Sequence, residues 1–538
     1  MDFSNFWWQA AAAAPPQPGG DPGDAIGQSL RFGAGRDLTG TGAALQNDWT
    51  ASWWFKYAVE GAVSSERIMC GAGGSYFSIF EVSVPSHQFF WSPTFPGAVF
   101  GPAIRDPSAW YHVVLQSTAT KSTVWLNGEQ IGTSGSAGST NFFQTIGRNT
   151  NNTNFEGLMA GWHVIDGQAL DPTTFGRFNA SGVWVPVNPQ KDGDTAWYGT
   201  NGFHLKFAPG NVGKDYSGNG NDFTATGFET ANQTSPLYDI MQDSPTNNFA
   251  TLNPLPKNSS GTGTYSDANL TGVDTNATQL NTFSATQTLD RDSSYYWEAY
   301  IVNKGGVSGQ PYFGVINPLA TNNNNADGVA GAFYYTNGLI VWPGSSYYNF
   351  STGPQTSPLP SDFTTGDTLS FYWDGSNNTL AYRVNGANEW KVALSNTQNI
   401  DVAPFFGLAH SQKISINYGQ QPFRYTPPAG FEPLSTANMP TDELPDTITG
   451  TFTGNNNANG PFVYTGCIPA RIQYGTIDVK YQDRFGQTNV DFLSNGFKVR
   501  STTSNSGTVN YTVTTTHDGG EYDGNKVPFQ SPAPAVSN

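Results

Sequence analysis

Trp110-Tyr111-His112-Val113-Val114-Leu115, a polar run from Gln116 to Lys121, and Ser122-Thr123-Val124-Trp125-Leu126-Asn127-Gly128 follow one another in the chain. Tyr111, Val113 and Leu115 alternate with residues facing the other way, as do Val124 and Leu126. That period of two marks paired strands with one buried face. Asn127-Gly128 is a tight-turn dipeptide, because both residues tolerate positive φ. A third run, Phe142-Phe143-Gln144-Thr145-Ile146-Gly147, follows a Gly- and Ser-rich loop. The stretch reads as the centre of an antiparallel sandwich.

At 538 residues the chain exceeds one ordinary domain, and about three are expected. Aromatics make up 14%, enough apolar area to exclude a disordered chain. Short aromatic or β-branched runs, punctuated by 61 Gly and 35 Pro, predict an all-β protein. The formal charge of −17 argues against nucleic-acid binding, which needs a basic groove, and against anionic membrane surfaces. No apolar run approaches the roughly 20 residues of a membrane span. Asp2 and the lack of an early Lys or Arg do not fit an ordinary signal peptide. Cys70 and Cys467 stand too far apart to read as a disulfide framework, which points to assembly in a reducing compartment.

Five segments emerge. Residues 1–25 hold Phe3, Phe6, Trp7 and Trp8, then an Ala run and a Pro/Gly linker. Such an aromatic peptide is read as an anchor that inserts into a partner; packing on its own first domain is the other reading. Residues 26–230 form a first sandwich, 231–283 a turn-rich connector, 284–435 a second sandwich, and 436–538 a small C-terminal β module with a tail. In the second sandwich Leu369, Phe371 and Trp373 share one face of a strand. In the third, Asp491 to Arg500 reads as strand, Asn495-Gly496 turn, strand.

These motifs carry resemblances. The strand and hairpin of residues 110–128, followed by Ile146-Gly147-Arg148, resemble the core of a laminin-G/concanavalin-like domain. Tyr295-Tyr296-Trp297-Glu298-Ala299-Tyr300-Ile301, Tyr312-Phe313-Gly314-Val315, Gly366 to Gly386 and Ile416 to Leu434 resemble a SPRY-type domain. That family consists of two-sheet sandwiches that bind proteins or peptides through loops; residues 322–327 and 345–360 are the loops in question, with solvated linkers as the bland alternative. Ser29 to Phe32, the hairpin motifs just named, Phe155 to Gly176, Gly182 to Pro189, Gly202 to Ala208 and Gly213 to Phe228, in this order, resemble structural proteins of tailed bacteriophages, as do the aromatic peptide ahead of them and the C-terminal motifs. In that group the C-terminal module has a longer middle section than Thr476 to Asn489, so here it is expected to be trimmed.

Signs of chemistry are few. His87, His112, His163, His204, His410 and His517 show no metal-ligand spacing. His112 and His163 are expected to pack or hydrogen-bond within strands. No nucleophile elbow or phosphate loop is present. A glycosidase needs two carboxylates about 5–10 Å apart, yet Glu81, Glu156 and Asp166 stand alone, so the chain is read as a non-enzyme. The 15 Trp leave no identifiable sugar platform. Asp215, Ser217, Asn219 and Asp222 offer the oxygens Ca²⁺ prefers. Such residues also bond their own backbone in turns, and the missing terminal Glu of an EF-hand favours the turn. No other cofactor is expected.

The phage resemblance implies a virion protein, assembled in the host cytoplasm and sited on the tail or particle surface. The expected role is a tail fibre or receptor-binding adhesin that attaches the particle to a host-surface glycan or protein. It would contact other virion proteins through its N-terminal segment and form a homotrimer, without membrane insertion. The alternatives are a capsid or tail decoration protein that braces neighbouring subunits, and a polysaccharide-degrading tailspike. No β-helical repeat supports the spike.

Overall fold

The computed structural model describes residues 25–527 except 59–66, 73–74, 84–85, 93–98, 105, 142, 150–153, 180–182, 256–262, 275–280, 306–310, 318–337, 343–345, 350–354, 357–363, 395–401, 440–443, 485–486 and 519–524. Among the described residues the regular structure is almost entirely β-strand, paired antiparallel with few exceptions.

Trp49–Tyr57 and Tyr111–Ser117 lie side by side in the middle of the first sheet. From one edge the order is Glu129–Ser134, Ser122–Leu126, Tyr111–Ser117, Trp49–Tyr57, Gly157–Asp166, Ser29–Phe32 and Ile240–Met241. The expected hairpin is present. Asn127 and Gly128 have φ of 48° and 82°, the doubly positive pair of a tight two-residue turn. A Cβ on Gly128 would come within 2.5 Å of the Trp184 ring, so the site also needs a residue with no side chain. The third run does not join this sheet: Thr145–Ile146 pairs with Asp37–Thr39 and Arg67–Ala72 in the facing layer.

All nine residues of Trp49–Tyr57 are buried, so both of its faces are covered. Trp49, Ala51, Trp53, Phe55 and Tyr57 fill the space between the sheets, where Trp53 stacks on Trp162 with ring centroids 4.2 Å apart. The alternate face carries Thr50, Ser52, Trp54 and Lys56. Trp54 belongs to the second sandwich's core, together with Trp110, Leu158, Ala160 and Trp184.

In the second sandwich one sheet runs Thr264–Ser266, Thr271–Val273, Lys413–Asn417, Ser294–Asn303, Thr368–Asp374, Thr379–Val384 and Ala387–Ala393. It faces a six-stranded sheet in which Ala403–Leu408 lies between Asn281–Ser284 and Tyr312–Ile316. Leu369, Phe371 and Trp373 point into the core as their alternation predicts. Residues 231–283, read as a turn-rich connector, contribute short strands to both sandwiches. Ile240–Met241 extends the first sheet, while Thr264–Ser266 and Thr271–Val273 belong to the second sandwich. Strands of two or three residues are too short for a period of two to register in sequence.

The C-terminal module is a third sandwich. Four strands (Thr447–Asn455, Ser506–Thr514, Arg471–Tyr474, Ile477–Lys480) face three (Phe462–Tyr464, Gly496–Val499, Val490–Leu493). Its core includes Phe452, Tyr474, Phe492 and Phe497, and Val183 of the first sandwich joins it. The turn lies one residue earlier than expected: Leu493 pairs with Gly496, leaving Ser494-Asn495 as the loop. Contacts to the other sandwiches hold both loop residues. Ser494 donates its backbone N–H (2.9 Å) and hydroxyl (2.5 Å) to Asp106, and the Asn495 amide donates to the Thr286 carbonyl at 3.0 Å.

The three sandwiches therefore meet at a buried polar junction. Asp106, fully buried, also receives the Ser108 N–H at 2.9 Å and its hydroxyl. Asn248 donates to the Ser108 carbonyl at 2.9 Å and accepts Gln287 on its own carbonyl at 3.0 Å. Replacing Asp106 with Ala would strand two buried N–H donors from different sandwiches, each costing about 1–3 kcal/mol. The expected result is a fall of about 3 kcal/mol in unfolding free energy, read from urea denaturation, with a smaller loss for Asp106→Asn.

Candidate binding cleft

The strand Ser294–Asn303 sends Tyr295, Trp297, Ala299 and Ile301 into the core. Its other face presents Tyr296, Glu298 and Tyr300. The chain returns over this face after Lys413–Asn417: Phe423 packs edge-on against Tyr296 at 4.6 Å, and Phe431 against Tyr372 at 5.8 Å. Glu298 holds that return in place. It accepts the backbone N–H groups of Arg424 and Tyr425, both at 2.8 Å, and the Tyr296 hydroxyl at 2.7 Å. Burial pushes its carboxyl above the usual range, and these donors pull it back. Fixed in this way, the exposed Arg424 guanidinium lies over the Tyr300 ring at 5.0 Å and donates to Thr368 at 3.0 Å.

Between this face and residues 234–236 lies a small, open cleft. Ser415, Asn417, Gln421 and Arg424 supply its polar lining, with Tyr300 and Pro236 its apolar one. Leu237, next to Pro236, is 52% exposed and adds an apolar patch near the rim. Gln421 ties the two sides together by donating to the Tyr238 carbonyl at 2.6 Å. A cation over an aromatic ring, flanked by hydroxyl and amide groups, suits a small polar group with an apolar edge.

The sequence reading did not reach this cleft. Its one signal was Glu298, an acid in a strand otherwise aromatic and apolar; Arg424 lies 126 residues away in sequence. The anchor residues Phe3, Phe6, Trp7 and Trp8 lie outside the described residues, as do 322–327 and most of 345–360. Asp215 and its neighbours form a hydrogen-bonded turn. Asp215 accepts backbone N–H groups from His204 (2.9 Å), Ser217 (2.8 Å) and Asn221 (2.9 Å). Asp222 accepts from the Asp215 N–H at 2.8 Å and pairs with Lys214. The Asn219 amide donates to the Gly199 and Gly202 carbonyls. Among the described residues no group of three or more His, Cys, Asp or Glu could hold a metal ion. Asp166 is likewise occupied, accepting from the Gln46 and Asn201 backbones.

The strand histidines are buried and neutral. Trp184 donates its ring N–H to His112 Nδ1 at 3.0 Å. The His112 proton therefore sits on Nε2, 2.8 Å from the Ser52 hydroxyl. Burial lowers the His112 pKa to about 3. His163 and His204 face each other across paired strands, rings 3.9 Å apart, and burial lowers both.

Family models match two parts of the chain. Residues 32–174 match the concanavalin A-like lectin/glucanase superfamily, and residues 294–421 match the SPRY domain. The chain carries a concanavalin-like domain and a SPRY domain. The cleft opens on the SPRY domain, and the central hairpin belongs to the concanavalin-like one. Among solved structures, the SPRY domain of human HERC1 is 17% identical, covering 28% of this chain and 87% of that one, with a TM-score of 0.22. The PSpry domain of TRIM65 is 14% identical over 31% and 89%, TM-score 0.24. Stonustoxin is 15% identical over 31% and 27%, TM-score 0.24. Likenesses at these TM-scores carry no functional argument. No curated protein matches the sequence.

Two outcomes follow from this geometry. Replacing Glu298 with Ala unpairs the Arg424 and Tyr425 amides; their hydrogen exchange should accelerate at least tenfold, read by mass spectrometry, while the amides of Trp49–Tyr57 stay protected. For His112, His163 and His204 the folded pKa lies below the unfolded value of about 6.5. Above that pH both states are neutral. Below it the unfolded chain binds protons that the folded chain does not, so stability falls on acidification, by up to about 1.4 kcal/mol per pH unit for each histidine. For His112 this continues to about pH 3. Asp243 and Glu298, whose carboxyls are raised, oppose the trend near the lower end. The measurement is unfolding free energy between pH 7 and 4.5, and His112→Gln should flatten the slope by about one proton.

Proposed function

We propose that this chain is an attachment protein of a tailed-bacteriophage particle, a tail fibre or receptor-binding adhesin whose sandwiches present non-covalent recognition surfaces to the host cell. The observation that carries the binding role is the cleft of the SPRY domain, where Glu298 fixes Arg424 over Tyr300 beside Ser415 and Asn417. That set of a cation, an aromatic face and neutral hydrogen-bonding groups fits a surface glycan or a peptide. The phage setting rests on the ordered sequence motifs and on the aromatic segment Phe3, Phe6, Trp7 and Trp8, read as the link to other virion proteins. A homotrimer fits such a role, since copies sharing one anchor gain avidity.

The test is electron microscopy of intact particles, using gold-labelled antibody against residues 284–435. Label at the tail or its appendages is expected, and particles assembled with a chain lacking residues 1–25 should be unlabelled. Label spread over the head would replace attachment with decoration. Particles that stay unlabelled while the isolated protein binds the antibody would count against a virion role.

A further inference from the structure

Lys56 is 3% exposed in its side chain and lies in the middle of the junction between the first two sandwiches. Its amine touches three groups: Asp243 Oδ2 at 2.9 Å, the Asn248 side-chain oxygen at 2.7 Å and the Phe249 carbonyl at 3.1 Å. Asp243 and Asn248 are themselves 0% exposed. Trp110 donates its ring N–H to the other Asp243 oxygen at 2.8 Å, and the Phe249 N–H approaches the same atom at 3.3 Å. The Asn248 amide nitrogen is held in turn, donating to the Ser108 carbonyl at 2.9 Å. An amine, a carboxamide and a carboxyl thus stand in contact in a site without water access.

We propose that Lys56 and Asn248 join in an intramolecular amide bond, with Asp243 as the proton carrier. Each part of the chemistry has a residue. Lys56 hands its proton to the Asp243 carboxylate and becomes a neutral nucleophile. Its Nζ attacks Asn248 Cγ, and a C–N bond forms there. The Cγ–Nδ2 bond breaks. One Nζ hydrogen passes through the Asp243 carboxyl to Nδ2, which leaves as ammonia. The step needs no oxidant, metal or second substrate.

Three physical features favour it. Packing holds amine and carboxamide together at a high effective concentration, removing the entropic barrier that makes the reaction negligible in solution. Burial pushes the Asp243 carboxyl up toward its protonated form, although Lys56 and the hydrogen bonds pull it back. The exchange also replaces an ammonium and a carboxylate, both costly to bury, with a neutral amide and a neutral acid. The bond would staple the strand Trp49–Tyr57 to the segment entering the second sandwich. Neither cysteine forms such a link: both are free, Cys70 in the first core and Cys467 in the third.

The experiment is intact mass spectrometry of the folded full-length protein under denaturing conditions, followed by peptide mapping. A chain lighter by one ammonia, about 17 Da, with a branched peptide joining Lys56 to Asn248, is the expected result. Lys56→Arg, which keeps the positive charge, should restore the full mass, as should Asp243→Asn. A folded wild-type chain whose Lys56 and Asn248 peptides are both recovered unlinked would overturn the proposal and leave the site an ion pair. So would an ammonia loss mapping elsewhere.

Discussion

Asp243 is the residue on which the architecture converges. Its carboxyl is fully buried and answers at once to Lys56 of the first sandwich, to the Trp110 ring and to the segment that leads into the second. A buried charge without partners is costly, and a buried pair is tolerated where the remaining lone pairs and protons are also satisfied. That requirement draws Asn248, Ser108 and Gln287 into the same network. Linked to this network through Ser108, Asp106 does the same for the third sandwich through Ser494. Buried ion pairs of this kind often add less net stability than well-packed apolar groups of the same volume. What the junction supplies is geometry, since Asp243, Asp106 and Asn248 find these partners only where the three units meet.

The apolar layers follow from that arrangement. A sandwich sheet in a modular protein keeps one face in water, and its strands alternate. Trp49–Tyr57 does not, because Trp54 on its outer face is buried and clusters with Trp110, Leu158, Ala160 and Trp184 in a core that continues into the second sandwich. The outer face of the SPRY sheet is treated differently. Its strand carries an acid at Glu298, and the chain is recruited back over the sheet to satisfy it. Satisfying Glu298 is what positions Arg424, so the cleft is a by-product of the same rule that built the junction: a buried carboxyl collects every donor within reach.

The all-β class, the hairpin at Asn127-Gly128, the inward face of Leu369, Phe371 and Trp373, and both domain resemblances were legible in the sequence. Each depends on local information: alternation with a period of two, or a turn residue that tolerates positive φ. The histidines in strands were also legible as packing residues, because strand context implies burial. Residues 231–283 were not, since Ile240–Met241 and Thr271–Val273 are too short to show a pattern. The turn at Ser494-Asn495 was misplaced by one residue because Asn-Gly is the stronger local turn signal. Contacts with Asp106 and Thr286, hundreds of residues away, shift it.

By itself, then, the sequence determined which segments are strands, which faces are apolar and which family motifs the two larger domains carry, because these are set by neighbours two to four positions apart. The tertiary structure decided everything that depends on distant residues meeting. It brought Lys56 to Asp243 and Asn248, Asp106 to Ser494, and Glu298 to Arg424. It also turned the oxygens of Asp215 and Asp222 toward backbone donors. The reason is the same in each case: a polar side chain's partner is chosen by desolvation inside a packed interior, and an amino-acid sequence does not show which groups are buried together.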